Sequence, residues 1–227
     1  MFCQKCGAQI PDNVTACSAC STVVAAAAPN PATVAAERVK AASKDALQAF
    51  KLFASNPVGG LSGAFESLGQ ARALTAGITF GVAFALCVLF AAYRVLPVWG
   101  RPQGFTGFIK ILVVSVVPFV SLLGASTAAR KAFRGEGGFG HDSFIAGASS
   151  LPFGCVALLA AILGLGNIEV IALFTLFAVC VTILMLFAGL TRICKTSERA
   201  ATLAVPLMLI ASAWLSKVIY AALLKEL

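Results

Sequence analysis

Four cysteines near the N-terminus carry the clearest chemistry in this 227-residue chain. Cys3, Cys6, Cys17 and Cys20 form two C-x2-C pairs, read together as C-x2-C-x10-C-x2-C. Each pair makes a knuckle that presents two sulfurs on one edge of a tetrahedron. The intervening loop folds the second knuckle onto the first. Gly7 suits a backbone that bends close to a metal, and Ser21 holds the equivalent place after the second knuckle. Pro11-Asp12-Asn13 supplies a turn between them. All-sulfur tetrahedral coordination favours zinc, with iron the lesser candidate. A disulfide pair or a redox C-x2-C is the bland alternative. A module of about 20 residues has almost no core, and metal binding worth roughly 10–16 kcal/mol supplies its folding energy. The expectation is a zinc ribbon holding one structural zinc ion. Four thiolates leave no open coordination position, so zinc catalysis is not expected. Lys5 and Phe2 against Asp12 make too weak a positive face for phosphates, so no nucleic-acid partner is expected.

Other chemistry-bearing residues are sparse. "GEGGFG" at 135–140 matches G-x-G-x-x-G, but it lies between two apolar runs rather than between a strand and a helix. It reads as a flexible loop. His141 is the only histidine and adjoins Asp142, which reads as a solvated surface pair. Cys87, Cys155, Cys180 and Cys194 lie in or near apolar runs, where a free thiol behaves as a small apolar group. No Ser–His pair, no HExxH and no carboxylate pair within a span is present. The chain is therefore expected not to be an enzyme.

The body that must position the cysteine module is membrane-like. Only 11% of the residues are charged and mean hydropathy is +0.94, against roughly 25% charged in a soluble domain. Such a chain cannot cover a globule with polar surface, so most of its outside must face lipid. The net charge of +8 suits anionic headgroups. Residues 1–22 are expected to be the ribbon and 23–36 a flexible linker, with Pro29 and Pro31 breaking helix. Residues 37–73 are expected to form amphipathic juxtamembrane helices, and 74–227 a five-span transmembrane domain.

Within 37–55, Val39, Ala42, Ala46, Ala49, Phe50 and Phe53 fall on one side at 100° per residue. Lys40, Lys44 and Lys51 fall on another, with Leu47 at the boundary. That is a basic amphipathic helix, a type that lies in the membrane interface. Asn56-Pro57 stops it, Gly59-Gly60 turns, and "LSGAFESLGQ" gives a short second piece. Five apolar runs follow, at about Leu74–Tyr93, Ile111–Ala129, Phe144–Leu165, Val170–Leu190 and Ala201–Leu224. Each is long enough to cross about 30 Å of hydrocarbon. "GLGN" at 164–167 predicts a tight hairpin between the third and fourth runs. The fold class expected is an all-α membrane protein: five transmembrane helices preceded by a small zinc ribbon and an amphipathic helix.

No basic segment leads into an apolar run before Cys3, so the N-terminus is expected to stay on the reducing side where it was made. Arg130, Lys131 and Arg134 in one loop, and Arg192, Lys195 and Arg199 in another, agree with a cytoplasmic N-terminus. Five spans then place the C-terminus outside an inner membrane. Arg94, Arg101 and Lys110 in the first loop blur the contrast. Gly77-x3-Gly81, followed by Ala85, makes a small-residue stripe for helix packing. Packing within the bundle is the default, and contact with a second copy is the alternative.

Two stretches give the body a family likeness. "FASNPVGGLSGAF" at 53–65 precedes the first span, and "GGFGHDSFIAGASSLP" at 137–152 leads through Phe144 into a span with a proline eight residues later. With five spans behind an N-terminal cytoplasmic region, the chain resembles the Yip (Ypt-interacting protein) family over residues 50–225. The front end resembles the short zinc ribbons at the start of many prokaryotic membrane proteins. The resemblance implies an α-helical bundle whose cytoplasmic face recruits partners. Eukaryotic members act in vesicle traffic and bind Rab-type GTPases. That role is not carried over, because a ribbon stands here in place of an extended acidic N-terminal region. The family implies no catalytic residues. The leading functional expectation is a membrane adaptor or scaffold that contacts the bilayer and a cytoplasmic protein partner. The alternative is a small channel or transporter using spans broken at Pro118, Pro152 and Pro206, with the ribbon as regulator. A zinc-responsive sensor is weaker, because four thiolates hold the ion too firmly to sample it.

Overall fold

The structure, a computed structural model, describes residues 5–6, 8–9, 19–20, 31–95, 104–164 and 168–224. The chain divides into two compact units, Met1–Ala41 and Ala42–Leu227. The helices run in the order α1 (Pro31–Ser55), α2 (Gly59–Val95), α3 (Gly104–Ala132), α4 (Phe139–Leu163), α5 (Ile168–Ala188) and α6 (Glu198–Leu224). A π-helical turn, Gly189–Ile193, follows α5. The helices α2 to α6 are each long and apolar enough to cross a membrane. This is an all-α, multi-pass membrane protein, as its apolar runs predict.

The first helix starts at Pro31, ahead of the predicted start at Glu37, so the predicted linker gives up residues 31–36 to helix. Proline breaks helices only in their interiors. At the first helical position its missing N–H has no partner to lose. Further along, Ala46, Ala49 and Phe53 form a buried stripe at helical spacing. Phe53 packs edge-on against Phe80 of α2, with ring centroids 5.5 Å apart. Part of the predicted lipid-facing side is thus taken up by the protein itself. Lys40, Lys44 and Lys51 are exposed, as are the apolar Val39, Leu47 and Leu52.

Asn56 ends α1 and starts α2. Its side-chain oxygen accepts from the Gly59 N–H at 2.9 Å, and its carbonyl accepts from the Gly60 N–H at 2.7 Å. The second helix bends at Gly69, whose φ of 68° and ψ of 167° suit only glycine. The bend divides the short amphipathic lead-in from the span proper. By contrast, α3, α4 and α6 stay helical through Pro118, Pro152 and Pro206. No segment unwinds at these prolines, and the Val114 carbonyl, which Pro118 leaves without its helical donor, accepts from the Tyr220 hydroxyl.

The centre of the bundle is the first half of α4. Every residue from His141 to Ser150 is buried. Such an all-round envelope needs small residues, and "HDSFIAGASS" supplies them. A Cβ on Gly147 would strike the Gly77 carbonyl, and one on Gly77 would strike the Ser143 backbone. A Cβ on Gly81 would strike the ring of Phe119 on α3. The Gly77–Gly81 stripe is thus occupied from within the chain, and it is not a free face for a second copy. Hydrogen bonds to backbone oxygens and between hydroxyls add to this packing. Thr182 donates to the Ser149 carbonyl at 2.9 Å, Tyr220 to the Val114 carbonyl at 3.0 Å, and Ser216 to Ser121 at 3.3 Å. Gly164, with φ 61°, caps α4 in the left-handed conformation. The rest of the predicted hairpin turn, 165–167, lies outside the described residues.

Candidate functional site

Of the predicted ribbon ligands, Cys6 is exposed and Cys20 half-buried. Cys3 and Cys17 lie outside the described residues. Among the described residues no group of three or more His, Cys, Asp or Glu could hold a metal ion. The donor set itself fits zinc, because four thiols at knuckle spacing can supply all four soft ligands.

A second polar site lies where α3 ends, α4 begins and α5 gives way to the π-turn. Arg130 Nε donates to both carboxylate oxygens of Asp142, each at 3.0 Å. Asp142 is fully buried and the Arg130 side chain is 11% exposed. Arg130 Nη1 also donates to the Gly137 carbonyl at 3.0 Å. The carboxylate sits in the first turn of α4, where the helix dipole favours negative charge. The expectation of a solvated His141–Asp142 pair is therefore wrong. A charge can be buried here because the guanidinium compensates it within hydrogen-bond distance.

The imidazole of His141 caps the same helix. Its Nδ1 accepts from the Gly138 N–H at 3.2 Å, the part a glutamate plays in a capping box. This assigns the neutral ring's proton to Nε2. Phe65 of α2 lies against the ring, with centroids 4.7 Å apart. Phe65 in turn meets Phe144, which meets Phe80. An aromatic chain thus links the capping histidine to the core.

The glycine-rich segment is tied down rather than loose, correcting the expectation of a flexible loop. Gly135 N–H donates to the Arg130 carbonyl at 2.8 Å, and Glu136 N–H to the Cys194 carbonyl at 2.7 Å. Gly137 has φ 99° and lies under the His141 ring, so a side chain there would be both strained and crowded. A Cβ on Gly135 would lie 2.6 Å from Thr196 Oγ1. Gly135 and Gly137 thus serve close packing. Cys194 is buried, and burial pushes its thiol up to about 12. Lys195 follows with a left-handed φ of 50° and pairs with Glu136 at 3.2 Å. Both partners are largely exposed, so this pair adds little stability.

Two concavities accompany these sites. A cavity of about 260 Å³ is lined by Glu66, Gln70, Glu136, His141, Arg192 and Lys195, among others. An apolar groove of about 780 Å³ runs between the end of α1 and the α4–α5 face, lined by Phe50, Phe53, Leu151, Cys155, Phe174 and Phe177, among others. Cys155 and Cys180 are exposed there, in apolar surroundings that offer them no chemistry.

Comparison with known proteins adds one match. The zinc-ribbon domain family matches residues 2–24. No curated protein and no solved structure matches the chain at a significant level. The chain is thus a membrane-helical protein with five membrane-length helices and a zinc-ribbon domain at its N-terminus.

Proposed function

We propose that this protein is an adaptor anchored in the inner membrane, and that its ribbon docks a cytosolic protein partner. One zinc ion held by Cys3, Cys6, Cys17 and Cys20 stabilises the ribbon. Lys40, Lys44 and Lys51 hold the connecting helix to anionic headgroups, each lysine contributing about 1 kcal/mol near such a surface. The observation that carries this reading is the pairing, in one chain, of a zinc-ribbon match over residues 2–24 with five membrane-length helices. A closed four-thiolate module offers a surface rather than a reaction.

Three further points support it. The helices run unbroken through their prolines, and the first half of α4 is enclosed on all sides, which favours an anchor over a solute path. Arg130, Lys131, Arg134, Arg192, Lys195 and Arg199 cluster at one end of the bundle, which favours that end as cytosolic. The resemblance to Yip-type bundles points the same way, toward a cytosolic face that recruits partners. Crosslinking in membranes followed by mass spectrometry, with the wild-type chain and with Cys3→Ser/Cys6→Ser, tests the proposal. Partners should be lost from the variant while membrane insertion persists. An unchanged set of crosslinked proteins would overturn it.

A further inference from the structure

The cavity of about 260 Å³ at the Arg130–Asp142 end brings together charges that the described residues outside it do not pair with. Glu66, Gln70 and Phe65 of α2 form one wall, and Arg192 of the π-turn with Lys195 forms another. Neither Glu66 nor Arg192 is ion-paired with a described residue, and both are solvent-accessible. Lys195 and Glu136 already neutralise each other at the rim. His141 also lines the cavity and is only 8% exposed. Its Nδ1 is engaged by Gly138, and Nε2 has no hydrogen-bond partner among the described residues. A nearly buried imidazole N–H therefore remains available to a guest.

We infer that this cavity binds a phosphoethanolamine group, its ammonium at Glu66 and its phosphate at Arg192 and His141 Nε2–H. A zwitterion matches a site that presents one unpaired charge of each sign on separate walls. A guanidinium fork beside a second N–H donor suits the several oxygens of a phosphate. The small volume admits a headgroup rather than a larger ligand. The apolar wall of Phe65 can cover the two-carbon spacer. Such a group comes either from a membrane phospholipid or from free phosphoethanolamine.

The full-length protein in nanodiscs of phosphatidylcholine, with phosphatidylethanolamine titrated in, separates the two sources. Lipid retained by the protein is read by native mass spectrometry. Free phosphoethanolamine and glycine are added as competitors, and each is also added alone to the detergent-solubilised protein while its thermal midpoint is followed. Wild type should prefer the ethanolamine headgroup or its free analogue. Glu66→Gln and Arg192→Gln, both at exposed positions, should each weaken binding by about tenfold or more, the scale of one charged hydrogen bond. Selective retention of the lipid without an effect of the free compound assigns the source as lipid, and a midpoint shift by the free compound assigns the soluble one. Equal retention of phosphatidylcholine and phosphatidylethanolamine, with no midpoint shift by free phosphoethanolamine, would overturn the inference. So would glycine acting as strongly as phosphoethanolamine, or unchanged binding in both variants.

Discussion

Arg130 Nε stands 3.0 Å from each carboxylate oxygen of Asp142, closing the turn from α3 into α4 with a buried ion pair. The same guanidinium holds the Gly137 carbonyl, so one side chain fixes both the α4 terminus and the loop before it. Removing either partner leaves a buried charge without compensation, at a cost of about 3–5 kcal/mol. Asp142→Asn and Arg130→Met should each lower the thermal midpoint of the detergent-solubilised protein sharply. The double variant should lose less than the sum of the two. Additive losses would show that the pair is not coupled.

The α2–α4 contact is set by backbone meeting backbone at Gly77 and Gly147. A methyl group on Gly147 has no room beside the Gly77 carbonyl, whereas Gly63 and Gly124 face open space. Gly147→Ala should destabilise by about 1–3 kcal/mol or more through overpacking. Gly63→Ala and Gly124→Ala should be neutral or stabilising by about 0.5–1 kcal/mol, because alanine is the better helix former. Thermal unfolding monitored by fluorescence separates the two groups. Equal behaviour of Gly147→Ala and Gly124→Ala would contradict this packing.

Burial should protect Cys194 from thiol reagents. Its thiol is raised to about 12, so almost none is thiolate at pH 8. Maleimide should spare Cys194 in the folded protein and label it after denaturation, read by peptide mass spectrometry. The sign of the stability effect follows from proton linkage. An unfolded cysteine ionises near 9 while the folded thiol keeps its proton to about 12. The contribution of Cys194 is therefore constant below pH 9 and is lost as pH rises from there to about 12. Rapid labelling of Cys194 itself in the folded protein at pH 8 would contradict its enclosure.

The membrane body was legible because a span is a matter of length and apolarity, and each run exceeds what a bilayer needs. The Gly77–Gly81 stripe was also legible, since small residues four apart announce a close helix approach. The Arg130–Asp142 pair was not. Twelve positions separate its partners, and "GEGGFGHDS" has the composition of a loop. Only the folded chain shows that His141 caps α4 and that Asp142 lies within its first turn. A carboxylate just ahead of a small-residue apolar run, with an arginine at the end of the preceding span, was the available signal. The π-turn at 189–193 leaves no mark on hydrophobic periodicity, so α5 read as a plain helix. The start of α1 is hidden because a proline in sequence reads as a breaker, whereas Pro31 stands at the first helical position.

Elemental analysis of the membrane-extracted protein, made with and without Cys3→Ser/Cys6→Ser, tests most directly whether a metal-held head rides on a separately stable membrane body. One zinc per wild-type chain and none in the variant are expected, with the helical content and thermal midpoint of the membrane body unchanged. Wild-type protein without zinc, or collapse of the membrane body when the cysteines are replaced, would contradict it.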